Sequence, residues 1–444
     1  MAGSQMSGAP VGVAVLGLGN VGTELVRILE NSADDLAARV GAPLVLRGIG
    51  VRRVSADRGV PVDLLTDDIE GLVSRSDVDI VVELMGPVEP ARAAILAAIA
   101  HGKSVVTANK ALLSRSTGEL AQAAEAARVD LYFEASVAGA IPVIRPLTQS
   151  LSGDKVLRVA GIVNGTTNYI LSEMDSTGAD YASALADASA LGYAEADPTA
   201  DVEGYDAAAK AAIVASIAFH TRVTADDVYR QGITKINPAD FTAARALGCT
   251  IKLLAICERI TTADGQQRVS ARVYPALVPL NHPLAAVNGA YNAVVVEAEA
   301  AGRLMFYGQG AGGAPTASAV AGDLVMAARN RVQGGRAPRE SKYAELAIAP
   351  IGDVQTRYYV SMDVADKPGV LSTVAAEFAA HGVSISEVSQ QGVATENGRP
   401  SGARIVVVTH RAAESALSET VAALADLEAV QRVASVLRLE GTHQ

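Results

Sequence analysis

Asp206 and Lys210 stand four positions apart in an alanine-rich segment, so on a helix a carboxylate and an ammonium share one face. An exposed pair of that kind adds only about 0.2–0.5 kcal/mol to a helix and would by itself be surface decoration. Its surroundings argue for more. The preceding stretch, Gly192-Tyr193-Ala194-Glu195-Ala196-Asp197-Pro198-Thr199-Ala200-Asp201, is acidic and rich in turn formers. Together Glu195, Asp201, Asp206 and Lys210 make a polar group that suits a small substrate carrying both an ammonium and a carboxylate. A second ammonium, Lys110, follows Thr107-Ala108-Asn109 just after an apolar strand. Open α/β sheets bind ligands at that carboxyl edge, and a lysine there can touch both cofactor and substrate. A lysine that merely faces solvent is the plain alternative.

Gly17-Leu18-Gly19-Asn20-Val21-Gly22 follows a buried strand and opens a helix. In a dinucleotide site the first glycine permits the tight turn and the second lets the backbone approach the pyrophosphate. The third lets helix and strand pack closely. The unpaired N–H groups and the dipole of the helix N-terminus receive the phosphates. The motif is weak in isolation and gains force from the strand before it and the helix after it. The second strand of such a unit normally ends in a carboxylate for the ribose 2′-hydroxyl of NAD. Here it ends in Arg52-Arg53. Two cations suit a 2′-phosphate, which ranks NADP ahead of NAD; a solvated basic turn, with Asp57 and Arg58 close behind, is the other reading. The loop from Glu134 to Pro142 follows the last strand of this run, and its carbonyls could ligate a hard cation. An ordinary crossing between domains needs no metal.

Other chemistries lack support. Cys249 and Cys257 fall in an apolar run read as helical over 241–260, with no histidine at ligand spacing, so both are read as buried core thiols. No HExxH and no Ser/His/Asp order emerges, which removes hydrolase chemistry. The net charge is −11, aromatics are 4% and tryptophan is absent, so there is no footprint for nucleic acid or anionic lipid. Half of the 444 residues are hydrophobic, which fits roughly three domains of about 150 residues and rules out a disordered chain. Two cysteines suit a reducing compartment. The first residues have no cationic n-region, and no apolar stretch reaches the roughly 20 residues of a membrane span. The expectation is a cytoplasmic protein without membrane partners.

The elements that must carry these residues alternate at first. Strands are expected over 11–16, 44–51, 80–84, 104–107 and 131–134, with helices over 21–30, 91–101 and 116–127. Apolar strands separated by helices predict a doubly wound parallel sheet in 1–135, to which the chain returns at about 308–330. Residues 136–307 read as an α+β domain, 331–352 as a Gly- and Pro-rich linker, and 353–444 as a β-α-β-β-α-β, ferredoxin-like unit.

Read together, GLGNVG, TANKALL, FEASVAGAIPVI, NGTTNYIL, GYAEADPTADVEGYDAAAK and GQGAGGAPTASAVAGD resemble homoserine dehydrogenase in order and spacing, from about 11 to 330. The tail, with ADKPGVLSTVAAEFAAHGVSI, resembles an ACT regulatory domain, and the whole resembles the monofunctional form of the enzyme. The resemblance implies a Rossmann-type domain, a substrate and dimerisation domain, and the ACT domain. It implies reversible hydride transfer between NAD(P)H and L-aspartate 4-semialdehyde, giving L-homoserine, on the route to threonine, methionine and isoleucine. Lys110 and Lys210 would then sit at the reacting oxygen. Glu195 and Asp206 would hold the substrate ammonium, so that Asp206→Ala mainly raises KM, with Asp201, Gly192 and Tyr193 nearby. Cofactor contacts would come from residues 17–22, Arg52, Arg53, Thr107, Lys110 and Gly310. Glu134, Val137, Gly139 and Ile141 match the family's monovalent cation site, usually sodium. L-threonine as effector and a homodimer or homotetramer are further implications.

Two competing classes are weaker. Aspartate-semialdehyde dehydrogenase needs a thiolate nucleophile, which neither cysteine resembles. A nucleotide-sensing ACT protein without catalysis would be expected to lack the lysines and the carboxylate cluster.

Overall fold

A computed structural model of the chain describes residues 8–262, 265–339, 344–394 and 400–441. Residues 340–343 of the expected linker lie outside that range. The described chain gathers into two compact bodies: 1–165, 206–227 and 290–345 form one, and 166–205, 228–289 and 346–444 the other. The stretch 136–307, expected as one domain, contributes to both.

The first body is built on a six-stranded sheet: β1 (Val11–Leu16), β2 (Leu44–Gly50), β3 (Leu65–Thr66), β4 (Ile80–Glu83), β5 (Ser104–Thr107) and β6 (Leu131–Tyr132). Their order is β3-β2-β1-β4-β5-β6 and every pairing is parallel. All residues of β1 and β4 are buried, because helices cover both faces and leave no polar side to alternate with. The strand order reverses between β1 and β4, which opens a crevice at their carboxyl ends. The helix Gly313–Gln333 closes this body by packing Ala317, Val320, Leu324 and Ala328 into the core that holds Val13, Val15, Leu25 and Leu29. The sequence reading missed β3 and the helices Ala33–Val40 and Ile69–Ser74, which are too short to show a period. In the same body Val156–Ile162 pairs antiparallel with Tyr291–Ala298, which pairs in turn with Gly302–Gln309.

In the second body, Cys249–Thr261 and Gln267–Pro279 form an antiparallel ladder thirteen residues long. This corrects the helical expectation over 241–260: the helix stops at Ala246 and both cysteines lie on a strand. A strand buried on both faces reads as an unbroken apolar run, which periodicity alone cannot tell from a buried helix. Both thiols are buried, and burial pushes that of Cys257 up to about 12, so neither is a ready nucleophile.

The C-terminal elements follow the expected βαββαβ order: Tyr358–Val364, Val370–Ala380, Ile385–Ala394, Pro400–Thr409, Glu414–Asp426 and Val430–Leu439. They enclose their own core around Val360, Met362, Val374, Phe378, Ile405 and Leu417.

Candidate active site

The glycine-rich loop sits where the sheet order reverses. Gly17 has φ +101°, and a Cβ there would lie 2.6 Å from the Leu84 carbonyl oxygen, so only glycine fits the turn. A Cβ on Gly22 would fall 2.3 Å from the Gly17 carbonyl, whereas one on Gly19 would meet nothing within 4 Å. The second glycine therefore faces open space, as a backbone that must approach a pyrophosphate requires. Asn20 and Val21 begin the helix Asn20–Asn31, and Leu18 is buried against Val26 and Ile49. Arg52 and Arg53 lie exposed just beyond β2. Arg58, read as part of a basic turn, donates from Nη1 to the Leu18 carbonyl at 3.2 Å and so lies against the glycine loop.

The carboxyl ends of β4 and β5 build the second wall. Glu83 is fully buried; it accepts from the Thr107 hydroxyl at 2.6 Å and from the Met85 N–H at 2.6 Å. Burial raises its pKa, and these hydrogen bonds oppose the rise. Thr107 Oγ1 accepts in turn from the Asn109 N–H, and the Asn109 side chain caps the helix Lys110–Ala127 by accepting from the Leu112 N–H. Lys110 is thus the first residue of a capped helix, aimed from a fixed start. Glu83 went unnoticed in the sequence, although a carboxylate ending an apolar strand was a visible signal.

Lys110, Asp206, Lys210 and Asn164 converge. Lys110 Nζ pairs with Asp206 Oδ1, and Lys210 Nζ donates to Asp206 Oδ2 at 2.7 Å and to the Val163 carbonyl at 2.6 Å. Asn164 Nδ2 donates to Asp206 Oδ2 at 2.8 Å. The helix Tyr205–Phe219 supplies Asp206 and Lys210, and its alanines let it pack closely enough to bury both. Lys210 is 10% exposed at the side chain and Lys110 is 47% exposed, so one ammonium is enclosed while the other reaches the surface. Burial alone would raise the Asp206 pKa, but Lys210 and Lys110, by charge and hydrogen bond, hold it far below the usual carboxylate range. The pair expected from spacing is therefore a buried three-charge cluster, not a solvated helix pair. Asn164 and the Val163 carbonyl were not foreseen in these roles.

The loop after β6 turns Glu134 inward. Its carboxylate accepts from the N–H groups of Val143, Ile144 and Arg145 at 2.5, 2.8 and 2.8 Å and from Arg145 Nε at 3.1 Å. That carboxylate is committed to these donors. Gly139 lies against Gly310: a Cβ on Gly139 would fall 2.5 Å from the Gly310 carbonyl oxygen. Gly310 in turn has no room for a side chain, its Cβ position being 1.9 Å from the Asn292 amide. Gly313 approaches the glycine loop, with a Cβ position 3.1 Å from the Asn20 carbonyl.

In the second body Gly192, Tyr193 and Glu195 are exposed and Asp201 is half-buried on a short helix. The Tyr193 ring lies tilted by 45° against that of Tyr169, ring centroids 5.0 Å apart, and its carbonyl accepts from the Thr166 hydroxyl. Among the described residues no group of three His, Cys, Asp or Glu could hold a metal ion. No described helix is long and apolar enough to cross a membrane.

Models of the homoserine dehydrogenase NAD-binding domain, of homoserine dehydrogenase and of the ACT domain match residues 17–134, 142–325 and 358–429. The homoserine dehydrogenase of Mycobacterium tuberculosis strain H37Rv is 83% identical over 433 residues, 98% of either chain. The crystal structure of a homoserine dehydrogenase from Thiobacillus denitrificans is similar at TM-score 0.90 and 37% identity, covering 97% of this chain and 98% of that one. A hyperthermophilic archaeal homoserine dehydrogenase in complex with NADPH is similar at TM-score 0.61 and 26% identity, over 72% of this chain and 98% of that one. The glycine loop, the capped lysine and the lysine–carboxylate cluster thus sit in a chain alike to known enzymes from end to end, and the chain belongs to the homoserine dehydrogenase family.

Proposed function

We propose that the enzyme interconverts L-aspartate 4-semialdehyde and L-homoserine with Lys110 and Lys210 at the reacting oxygen. The observation that carries this reading is the meeting of both ammonium groups on one carboxylate, Asp206, across 96 residues of sequence in the case of Lys110. A bound NADPH or NADP supplies or accepts the hydride. On reduction, negative charge develops on the aldehyde oxygen; a lysine ammonium at hydrogen-bond distance stabilises it and delivers the proton. On oxidation the same amine takes the hydroxyl proton. Lys210 suits this role because Val163 and Asp206 fix its direction. Asp206, loaded with both lysines and Asn164, holds the ammonium pair in register.

Arg52 and Arg53 at the β2 end favour NADP over NAD, and the archaeal relative in complex with NADPH supports the same preference. A monovalent cation, sodium by chemistry, fits the carbonyls of 137–141. Ala138 and Gly139, both at φ 57°, curl the backbone there, and the fully buried Asn292 amide beside Gly310 has no hydrogen-bond partner among the described residues. L-threonine as effector rests on the turn Asp366-Lys367-Pro368-Gly369, which opens the helix Val370–Ala380 and presents N–H groups suited to a carboxylate. Association into a homodimer or homotetramer accounts for the strand Gly302–Gln309, which leaves Met305 and Tyr307 exposed. A cytoplasmic enzyme of threonine, methionine and isoleucine synthesis follows.

The test is the initial rate of homoserine oxidation with NADP and with NAD, from about pH 6 to about pH 10, with and without L-threonine at about 1–10 mM. The amine that takes the hydroxyl proton must first lose its own, so the rate of oxidation should climb with pH across this range. A flat profile refutes the lysine assignment.

A further inference from the structure

Glu83 ends β4 and Thr107 ends β5, and the two residues are paired in the parallel ladder. Their side chains therefore leave the sheet side by side, on one face. Neither has any exposed surface. A carboxylate sealed at the end of an apolar strand is costly unless donors meet it, and Glu83 finds one for each oxygen. Oε2 accepts from the Thr107 hydroxyl at 2.6 Å and Oε1 from the Met85 N–H at 2.6 Å. None of the roles assigned above uses this group.

The two bonds reach two different loops. Having donated to the carboxylate, Thr107 Oγ1 turns a lone pair to the Asn109 N–H, which it accepts at 3.1 Å. Asn109 Oδ1 accepts from the Leu112 N–H at 3.1 Å and so fixes the first turn of the helix Lys110–Ala127. On the other side, Met85 belongs to the backbone that passes the glycine loop: a Cβ on Gly17 would lie 2.8 Å from the Leu84 carbonyl carbon and 3.1 Å from the Met85 nitrogen. Asn109 Nδ2 closes the ring by donating to the Pro87 carbonyl at 3.1 Å. The ends of β4 and β5 are thus tied twice, and every group in the ring lies in the first body. The ring is sealed at Glu83 and Thr107 and leads to the half-exposed side chain of Lys110.

We propose that Glu83 is a positioning residue for Lys110, acting through Thr107 and Asn109. The carboxylate orients the hydroxyl, the hydroxyl sets the cap, and the cap sets the helix start from which the Lys110 ammonium reaches Asp206. The role needs an acceptor on both oxygens, which only the carboxylate supplies. A glutamine at position 83 offers one acceptor and one donor. With its oxygen toward Met85, its amide donates to Thr107 and displaces the hydroxyl proton. With its oxygen toward Thr107, two N–H groups face each other at Met85. The inference rests on the proposed place of Lys110 at the reacting oxygen.

The test is homoserine oxidation by variants of the full-length enzyme: Glu83→Gln, Thr107→Val, Thr107→Ser, Lys110→Ala and the Glu83→Gln/Lys110→Ala double variant. Glu83→Gln should lower kcat by about 10- to 100-fold, the scale of a small misplacement of a reacting group, while the KM for NADP stays within about threefold of wild type. Thr107→Val removes the hydroxyl and keeps the shape, so kcat should fall similarly, and Thr107→Ser, which restores the hydroxyl, should recover part of the loss. Lys110→Ala keeps Lys210, which leaves a residual turnover to measure. In that background Glu83→Gln should cost nothing further, since residues acting in series are not additive. Wild-type kcat in Glu83→Gln, with or without a raised KM for NADP, overturns the inference, and so do multiplied effects in the double variant. If Glu83→Gln does not fold, Thr107→Val replaces it, alone and combined with Lys110→Ala, and the same outcomes decide. Wild-type turnover in Lys110→Ala instead removes Lys110 itself from the mechanism, so the two failures are told apart.

Discussion

Replacing Asp206 by Asn keeps the shape of the side chain and removes the charge that two ammonium groups share. The enclosed Lys210 loses a charge-assisted bond at 2.7 Å and keeps its bond to the Val163 carbonyl, while the half-exposed Lys110 can turn to water. Breaking a buried pair by removing one partner costs about 3–5 kcal/mol. Lys110 adds little, because an exposed ammonium is rehydrated. If about 3 kcal/mol of that loss is felt in the transition state, kcat falls roughly 100-fold, at about 1.4 kcal/mol per decade. Initial rates of homoserine oxidation at saturating NADP measure it, and NADPH fluorescence checks that cofactor affinity is intact. The Asp206 carboxyl is held far below its usual range, so it is ionised at every assay pH. Its contribution to stability is present above the ordinary carboxylate pKa and fades only as pH falls through the depressed one. The sequence-based expectation for Asp206 was a rise in KM. A variant with kcat within about threefold of wild type and KM raised about tenfold would restore that expectation and refute the lysine-holding role.

Lys210→Ala should cut kcat by about 10²–10³, the scale of losing one transition-state donor, with NADP affinity unchanged by titration calorimetry; unchanged turnover removes Lys210 from the mechanism. Arg52→Gln with Arg53→Gln should raise the KM for NADP by about 10- to 100-fold and leave NAD untouched, as expected for lost charge-assisted bonds to a phosphate. Equal effects on both cofactors refute the 2′-phosphate role. Burial pushes Asp323 up to about 7 against the pull of Arg145, so the folded chain holds this proton more tightly than the unfolded one. The stabilising protonation is complete below about pH 4 and lost as pH rises toward about 7. Asp323→Asn, which keeps an acceptor for the Glu134 N–H, should therefore raise Tm more at about pH 8 than at about pH 5, and an equal shift at both refutes this.

Local signals carried much of the fold and part of the site. The glycine motif, the apolar parallel strands and the βαββαβ order are each written within a few neighbouring residues, so pattern and turn chemistry expose them. Lys110, Asp206 and Lys210 could be picked out because their spacing places them at a sheet edge and on one helix face. The partners that define their environment could not. Asn164 reaches Asp206 across 42 residues and Thr107 reaches Glu83 across 24, and no local pattern encodes such contacts. The strand Cys249–Thr261 was misread for a related reason: its identity comes from pairing with Gln267–Pro279, not from its own period.

Gly139 and Gly310 touch with no space for a methyl group on either, and Ala140 donates its N–H to the Gln309 carbonyl at 3.2 Å. Loops some 170 residues apart in sequence are welded at one spot, with Asn292 as the backing plate. Neither can breathe alone. Deuterium uptake at 138–141 and at 309–312 should therefore rise and fall in step, so that the crossing from strand to helix after Gln309 takes its rigidity from a loop far away in the sequence.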